Sequence, residues 1–284
     1  MINLNPLARL TVPDGVQGLE ALTRTTHLGI GAHPDDLEFM AFHGISECYD
    51  RPDRWFGGVT VTDGRGCVRA GRFAEWTDDE MVAERRREQE SAARIGQYGY
   101  VAQLGFASAT VRDPSETAVR DDLRSLLDAS QAEVVYLHNL ADKHDTHVAC
   151  ALRALEALRQ LPPDRRPRQV LGCEVWRGLD WLVDGEKVPL PVSARPELAQ
   201  ALNEVFATQN AAGKRYDLAV PGRRAANATF DDPHAADRES GLQWAMDLTP
   251  LVTDATLDPL AYAAGYVDRL RQDITARIHL LRSP

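Results

Sequence analysis

Two short apolar runs, each ending abruptly in polar residues, organise the hydrophobic pattern of this chain. The first, His27 to Ala32, is followed by a histidine, a proline and two aspartates, and the second, 133–137, by His138. Apolar runs of this length are typical of buried strands in a parallel sheet. Because the carboxyl ends of parallel strands meet at one edge, the pattern predicts that both runs deliver polar side chains to the same place.

Similar runs alternate with helical patterns along the chain. Strands are predicted at about 26–32, 55–62, 101–106, 133–138 and 169–176, and helices at about 34–48, from 77 onward, 115–129, 144–160, 196–211 and 259–281. This alternation predicts an α/β fold, a Rossmann-like three-layer sandwich with a mostly parallel sheet and a C-terminal extension.

The length of 284 residues suits one large domain or a domain with an appended lobe. We predict a single domain, 1–284, with a core at about 26–185. The extension, 186–284, is expected to complete a substrate pocket or to form an oligomer interface.

The polar residues after the two apolar runs carry the candidate chemistry. Residues 33–36 alone also fit an ordinary helix start, because proline suits the first turn and carboxylates suit the positive end of the helix dipole. Farther along, His144 and His147 are three apart at the start of a helical pattern and project from one face. Together, His33, Asp36 and His147 make a two-nitrogen, one-oxygen ligand set with a position open for water, as catalytic zinc requires.

The stretch Ala32 to Glu38 (A-H-P-D-D-L-E), followed by the H-x-x-H pattern that begins at His144, resembles the zinc-dependent N-deacetylases of the PIG-L/LmbE family. Members of that family deacetylate N-acetylglucosaminyl-phosphatidylinositol, precursors of mycothiol and bacillithiol, and aminoglycoside and glycopeptide intermediates. The resemblance covers roughly residues 26–185.

The resemblance implies a role for each residue of the two motifs. His33, Asp36 and His147 are expected to bind the metal. Asp35 is expected to act as the general base that takes a proton from the attacking water. His144 is expected to stabilise the oxyanion or to protonate the departing amine.

The second motif departs from the family pattern. Many relatives read H-P-D-H, in which the aspartate before the second histidine pairs with an imidazole, whereas this chain reads His144-Asp145-Thr146-His147. The H-x-x-H framework is kept and the carboxylate lies one place earlier. The partner of His144 is therefore open between Asp142 and Asp145.

Four side chains near the motifs are candidates for substrate contacts. Arg65 and Arg69 follow the second strand in a glycine-rich loop, where an arginine suits hydroxyl groups or a phosphate, although loop arginines are often solvated. His138 and Asp142 lie at the end of the strand that leads to the second motif. A single histidine there is equally typical of a satisfied polar group.

Other features admit more than one interpretation. Glu38 is expected to support the site rather than to ligate the metal. The charged run 85–90 is typical of a solvated helix face. The basic segment 214–224 reads as a loop that is a lid, an anion contact or an oligomer interface. Trp176 and Trp181 suit a wall for a sugar ring or ordinary packing.

Composition argues against several classes of protein. A net charge of −10 disfavours nucleic-acid binding. No apolar stretch is long enough for membrane insertion, residues 1–25 lack a signal-peptide pattern, and the scattered cysteines indicate a cytoplasmic protein. The Gly29-Ile30-Gly31 run does not match a dinucleotide fingerprint, because Pro34 takes the place of the third glycine.

These observations predict a metal-dependent amide hydrolase that removes an N-acetyl group from a small sugar-like molecule of N-acetylglucosaminyl type. The expected cofactor is Zn²⁺, although such a ligand set also accepts Fe²⁺. A homo-oligomer is a reasonable default. Two alternatives stay open, namely an amidase that cleaves a larger acyl amide and a protein that retains metal without turnover.

Overall fold

A single mixed sheet runs through the computed structural model, which describes residues 2–211 and 213–282. Its eight strands in those residues, β1 to β8, are Arg9–Thr11, His27–Gly31, Phe56–Thr62, Tyr100–Phe106, Val134–His138, Gln169–Cys173, Lys187–Pro191 and Leu242–Asp247. Their order is β1-β4-β3-β2-β5-β6-β8-β7. The five central strands in this order, β4-β3-β2-β5-β6, pair in parallel. The outer strands β1, β8 and β7 pair antiparallel with their neighbours. The predicted α/β fold with a mostly parallel sheet is confirmed.

Helices connect and cover these strands. Within the described ranges they are, from α1 to α12, Gly18–Thr23, Asp36–Met40, Phe42–Cys48, Asp78–Ile95, Ser108–Arg112, Ala118–Ser130, Asp145–Arg159, Pro196–Glu204, Ala207–Asn210, Tyr216–Thr229, Thr249–Thr253 and Pro259–Arg282. The start of α4 is the predicted one, since Thr77 accepts a hydrogen bond from the Glu80 amide and the Glu80 carboxylate accepts one in return. None of these helices combines the length and apolar character needed to cross a membrane.

Strand β5 shows how the two faces of the sheet are buried. Val135 and Leu137 belong to one apolar cluster, and Tyr136, between them, belongs to the other. All three side chains are inaccessible to solvent. A strand covered on both faces needs apolar residues at every position, which is why the sequence shows a continuous run rather than an alternating one.

The helix predicted at 34–48 is divided in the structure. It begins only at Asp36, and α2 and α3 are separated at Ala41, whose backbone leaves the helical region at φ −109° and ψ 17°. Nearby carbonyls find partners outside the helix, because Arg224 donates to the carbonyls of Glu38 and Phe39. The break therefore depends on residues almost 200 positions away along the chain, which local periodicity does not report.

The interpretation of 214–224 as a loop was wrong. Most of it belongs to α10, which runs through Pro221 and Gly222. A proline inside a helix removes one hydrogen bond and usually marks a loop. Here α10 packs against β8 and buries Arg224 and Ala228, and this tertiary contact outweighs the local signal. Strands β7 and β8 were also not predicted, and they extend the sheet with the C-terminal part of the chain.

Two helical glycines provide a matched test of this packing. A Cβ atom at Gly44 in α3 would lie 2.6 Å from the buried Tyr136 ring, whereas a Cβ atom at Gly222 in α10 meets nothing within 4 Å. We expect Gly44→Ala to lower the free energy of unfolding by about 1–3 kcal/mol through overpacking. Gly222→Ala should raise it by about 0.5–1 kcal/mol through helix propensity. Urea unfolding of both variants measures the two changes, and changes of the same sign would contradict this account of the packing.

Candidate metal centre and cavity

The two sequence motifs meet at the centre of the sheet. Strands β2 and β5 are parallel neighbours, and the chain continues from them to opposite sides, to β3 and β4 and to β6. Such a change of direction opens a crevice at the carboxyl ends of the strands. Gly31 at the end of β2 keeps this crevice tight, because a Cβ atom there would lie 2.9 Å from the Cβ of Asp36. The fold therefore requires glycine at this position.

Three donor atoms converge in the crevice. His33 Nδ1 lies 3.1 Å from His147 Nε2 and 3.3 Å from Asp36 Oδ2, and the last two atoms are 3.4 Å apart. A tetrahedral zinc ion with ligand atoms about 2.1 Å away separates those atoms by roughly 3.4 Å. The three side chains thus fit a metal ion with a position left for a further ligand.

The electrostatics of these groups also suits a cation. Burial lowers the pKa of His147 to about 4, so that its imidazole is neutral and free to ligate at neutral pH. Burial opposes ionisation of Asp36, but His147 and His138 outweigh it and hold the pKa of Asp36 well below its usual range. The set therefore presents a neutral imidazole nitrogen from His147 and an ionised carboxylate from Asp36.

His138 and Asp142 lie behind the ligand set. His138 Nε2 is 3.4 Å from Asp36 Oδ2, but it accepts a hydrogen bond from the Ala32 amide at 2.9 Å, which occupies its lone pair. Its ring stacks on His147 with centroids 3.9 Å apart. Asp142 Oδ1 faces His147 Nδ1 at 3.6 Å, in the place of a carboxylate that orients a ligating histidine. Both residues thus lie against His147, and neither lines the cavity.

Asp35 lies beside Asp36 with an unusual backbone. Its φ is +95°, a region that residues other than glycine seldom adopt, and strained backbone of this kind clusters at functional sites. The Asp35 amide donates to Gln89 Oε1 at 3.2 Å, and its carboxylate lies 3.7 Å from Arg85. Burial, opposed by the Arg85 guanidinium, raises the pKa of the Asp35 carboxyl well above its usual range.

Helix α4 supplies functional groups that sequence reasoning missed. The run 85–90 was interpreted as a solvated face, but Arg85, Glu88 and Gln89 are buried. Arg85 also donates to the Pro34 carbonyl at 2.6 Å. The signal was present in the sequence, because positions 81, 85, 88 and 92 share one helical stripe. Polar residues on a stripe that begins and ends with apolar ones indicate a buried polar contact.

Glu38 belongs to the same buried network. Its Oε1 accepts hydrogen bonds from Tyr98 Oη at 2.7 Å and from Gln89 Nε2 at 2.8 Å. Burial raises the pKa of Glu38 to about 7, against these two hydrogen bonds. Glu38 therefore lies beneath the loop that carries Asp35 and outside the set of converging donor atoms.

His144 takes its orientation from the backbone rather than from a carboxylate. Its Nδ1 accepts a hydrogen bond from the Thr146 amide at 3.2 Å, and its ring stacks on His147 at 4.6 Å. Asp142 accepts a hydrogen bond from the backbone amide of His144 and not from its ring, and Asp145 is exposed. Because Nδ1 is an acceptor, a neutral ring carries its proton on Nε2. Burial and the nearby His33 lower the pKa of His144.

A cavity of about 490 Å³ opens above these groups. The C-terminal part of the chain contributes much of its wall, through α10 and Trp176. Of the predicted substrate contacts, Arg65 pairs with Asp63 at 2.7 Å and Arg69 pairs with Asp78, and neither side chain lines the cavity.

The second tryptophan points elsewhere. Trp181 lies against Tyr266 of α12, at 6.3 Å between ring centroids, and is no part of the cavity lining. Trp181 is therefore an ordinary packing residue, whereas Trp176 forms part of the cavity wall.

Comparisons with solved structures agree on the fold. The chain is similar to the 4-carboxy-2-hydroxymuconate hydratase GalB of Pseudomonas putida at 20% identity and a TM-score of 0.62, over 82% of this chain and 100% of the other. It is similar to the N,N'-diacetylchitobiose deacetylase of Pyrococcus horikoshii at 18% and 0.57, over 78% and 83%. A deacetylase of the teicoplanin biosynthesis pathway matches at 15% and 0.54, over 78% and 97%.

Comparison with protein families gives a more specific result. No curated protein matches the chain. The family model described as PIG-L, GlcNAc-PI de-N-acetylase, matches residues 28–158, a range that includes both motifs and every converging donor atom. Residues 28–158 of this chain match the PIG-L family model, and the remaining residues lie outside the match.

Proposed function

We propose that this protein is a zinc-dependent N-deacetylase that hydrolyses an acetamide on a small sugar-like molecule of N-acetylglucosaminyl type. The observation that carries the proposal is the convergence of His33, Asp36 and His147 within 3.4 Å, directly beside Asp35 and at the base of a cavity. The family match supports N-deacetylation in general, that is, a hydrolase that acts on amides.

His33, Asp36 and His147 would hold the metal. A zinc ion in such a site supplies Lewis acidity, which lowers the pKa of a water molecule towards about 7 and polarises an amide carbonyl. Two imidazoles and one carboxylate also suit Fe²⁺, so that metal analysis is needed to identify the ion. Asp142 and His138 keep the ring of His147 in place while the substrate binds.

Asp35 is the proposed general base. Its carboxylate is next to a proposed ligand in sequence and faces the cavity, where an attacking water would lie. Burial raises its pKa, which makes it a better proton acceptor than an exposed aspartate. Arg85 and Gln89 hold the backbone and carboxylate of Asp35 in one orientation, so that little reorganisation is needed during the reaction.

His144 is the proposed donor to the reacting amide. A neutral ring with its proton on Nε2 can donate a hydrogen bond to the oxygen that gains negative charge. The Thr146 amide keeps the ring in this tautomer without help from a carboxylate. The aspartate of the family pattern is therefore not required for this role.

Two alternatives are distinguished by substrate. An amidase for larger acyl groups would cleave a butanoyl or longer amide as fast as an acetamide, whereas a deacetylase loses activity as the acyl chain grows. A protein that only binds metal would release no acid from either series. Rates for a matched acetyl, propionyl and butanoyl series, measured with metal-loaded protein, separate the three.

Removal of a ligand should remove the metal. We expect purified wild-type protein to hold about one metal ion per chain and His147→Ala to lose most of it, because two remaining ligands bind weakly. Elemental analysis gives the content and identity of the metal. His234→Ala, at an exposed histidine, is the matched control and should keep the wild-type content. Equal metal content in both variants would contradict the proposed ligand set.

Loss of the base should affect the rate and leave the metal bound. We expect Asp35→Asn to lower acetate release by roughly 10²–10⁴-fold with wild-type metal content, because the attacking water loses its proton acceptor. Asp145→Asn, at an exposed carboxylate between the two histidines, should change the rate little. If Asp35→Asn also lost the metal, Asp35 would have a structural role instead.

A further inference from the structure

Part of the cavity wall is basic and aromatic, and it comes from residues outside the family domain. Lys214, Arg223, Trp176 and Tyr216 all line the cavity and lie beyond residue 158. The Lys214 ammonium lies 4.9 Å from the centroid of the Trp176 ring, and Trp176 and Tyr216 meet edge to face at 6.3 Å. The four side chains form one continuous wall, which we call the basic wall.

The cations of the basic wall have no carboxylate partner. Within residues 2–211 and 213–282, neither Lys214 nor Arg223 forms an ion pair, although the chain has a net charge of −10. By contrast, the nearby Arg215 is bound to Asp217 at 2.8 Å. The Arg223 guanidinium donates to the Val175 carbonyl, which fixes it against the same wall. The two cations thus face the cavity without an ion-pair partner among the described residues.

One acidic residue in the cavity wall lies close enough to the basic wall to be considered as a partner for its cations. Glu174 is near Arg223, but its carboxylate is already occupied. Its oxygens accept hydrogen bonds from the amides of Leu179 and Trp244 at 2.9 Å and 3.1 Å, and from Asn227 Nδ2 at 2.8 Å. Glu174 therefore braces the wall and offsets part of the charge of Arg223 from a distance, without forming an ion pair with either cation in the described residues.

We propose that Lys214 and Arg223 bind an anionic group of the substrate, a carboxylate or a phosphate, while Trp176 and Tyr216 contact its ring. The proposal rests on the proposed function and narrows it, since the substrate becomes an acetamido compound that carries a negative charge. An ammonium and a guanidinium in a partly enclosed cavity bind such a group more strongly than exposed ones do. Aromatic side chains that flank them suit the face of a sugar ring.

Three related ligands test the proposal. N-acetylglucosamine is neutral, N-acetylmuramic acid carries a carboxylate, and N-acetylglucosamine 6-phosphate carries a phosphate. Their dissociation constants are measured by calorimetry on metal-loaded protein with Asp35→Asn, so that no ligand is consumed. Acetate release is measured separately with the wild-type protein. We expect at least one charged ligand to bind about tenfold or more tightly than the neutral one.

Variants connect that preference to the basic wall. Lys214→Met and Arg223→Gln should each reduce the charged-to-neutral affinity ratio by about tenfold, and Lys214→Arg should restore most of it. Arg215→Gln is the matched control, because it removes a neighbouring arginine that is already paired, and it should leave the ratio unchanged. The ligand that shows the preference identifies the anionic group as carboxylate or phosphate.

The outcomes separate this proposal from the proposed function. A preference that the two variants abolish, without acetate release by the wild type, supports the basic wall and overturns the proposed reaction. Acetate release with equal affinities for neutral and charged ligands overturns the basic wall and keeps the reaction. A preference that Arg215→Gln reduces as much as Lys214→Met does also overturns the assignment, because general surface charge would then explain it.

Discussion

The burial of three carboxylates within four residues is the constraint on which the rest of the structure depends. Asp35, Asp36 and Glu38 are all inaccessible or nearly so. A buried charge is costly unless it is paired and hydrogen-bonded, and a single unpaired polar group costs about 1–3 kcal/mol. Each carboxylate accordingly has its own partner: the histidines for Asp36, Arg85 for Asp35, and Tyr98 with Gln89 for Glu38. The sheet, α4 and the second motif converge on this loop.

The sequence was sufficient to predict the parts of the site that depend on residues close together along the chain. The strand ends, the two motifs and the cap of α4 follow from apolar runs, residue spacing and capping chemistry. Contacts between residues far apart along the chain, which only the tertiary structure creates, could not be predicted. The burial of Arg85 needed the packing of α4 under the first motif, and the helical state of α10 needed β8, which was not predicted either.

The fold alone does not determine which reaction the protein catalyses. The side chains at the crevice limit the reactions that are chemically possible. A hydratase and two deacetylases share this architecture at 15–20% identity, which is consistent with the general rule that one scaffold supports different chemistry. The wall around the crevice differs from the crevice itself in where it comes from along the chain. In this protein α10 and Trp176 provide much of that wall, and both lie outside residues 28–158.

The break between α2 and α3 has a consequence for the order in which the protein is made. The carbonyl of Phe39, a few residues after the proposed ligands, accepts hydrogen bonds from Arg224 and Gln243. A ribosome must therefore finish more than four-fifths of the 284 residues before the first motif has its full set of partners. Until then the nascent chain carries His33 and Asp36 in a segment whose support has not yet been synthesised. The cluster of converging donor atoms is expected to form late, after the last strand of the sheet has been added.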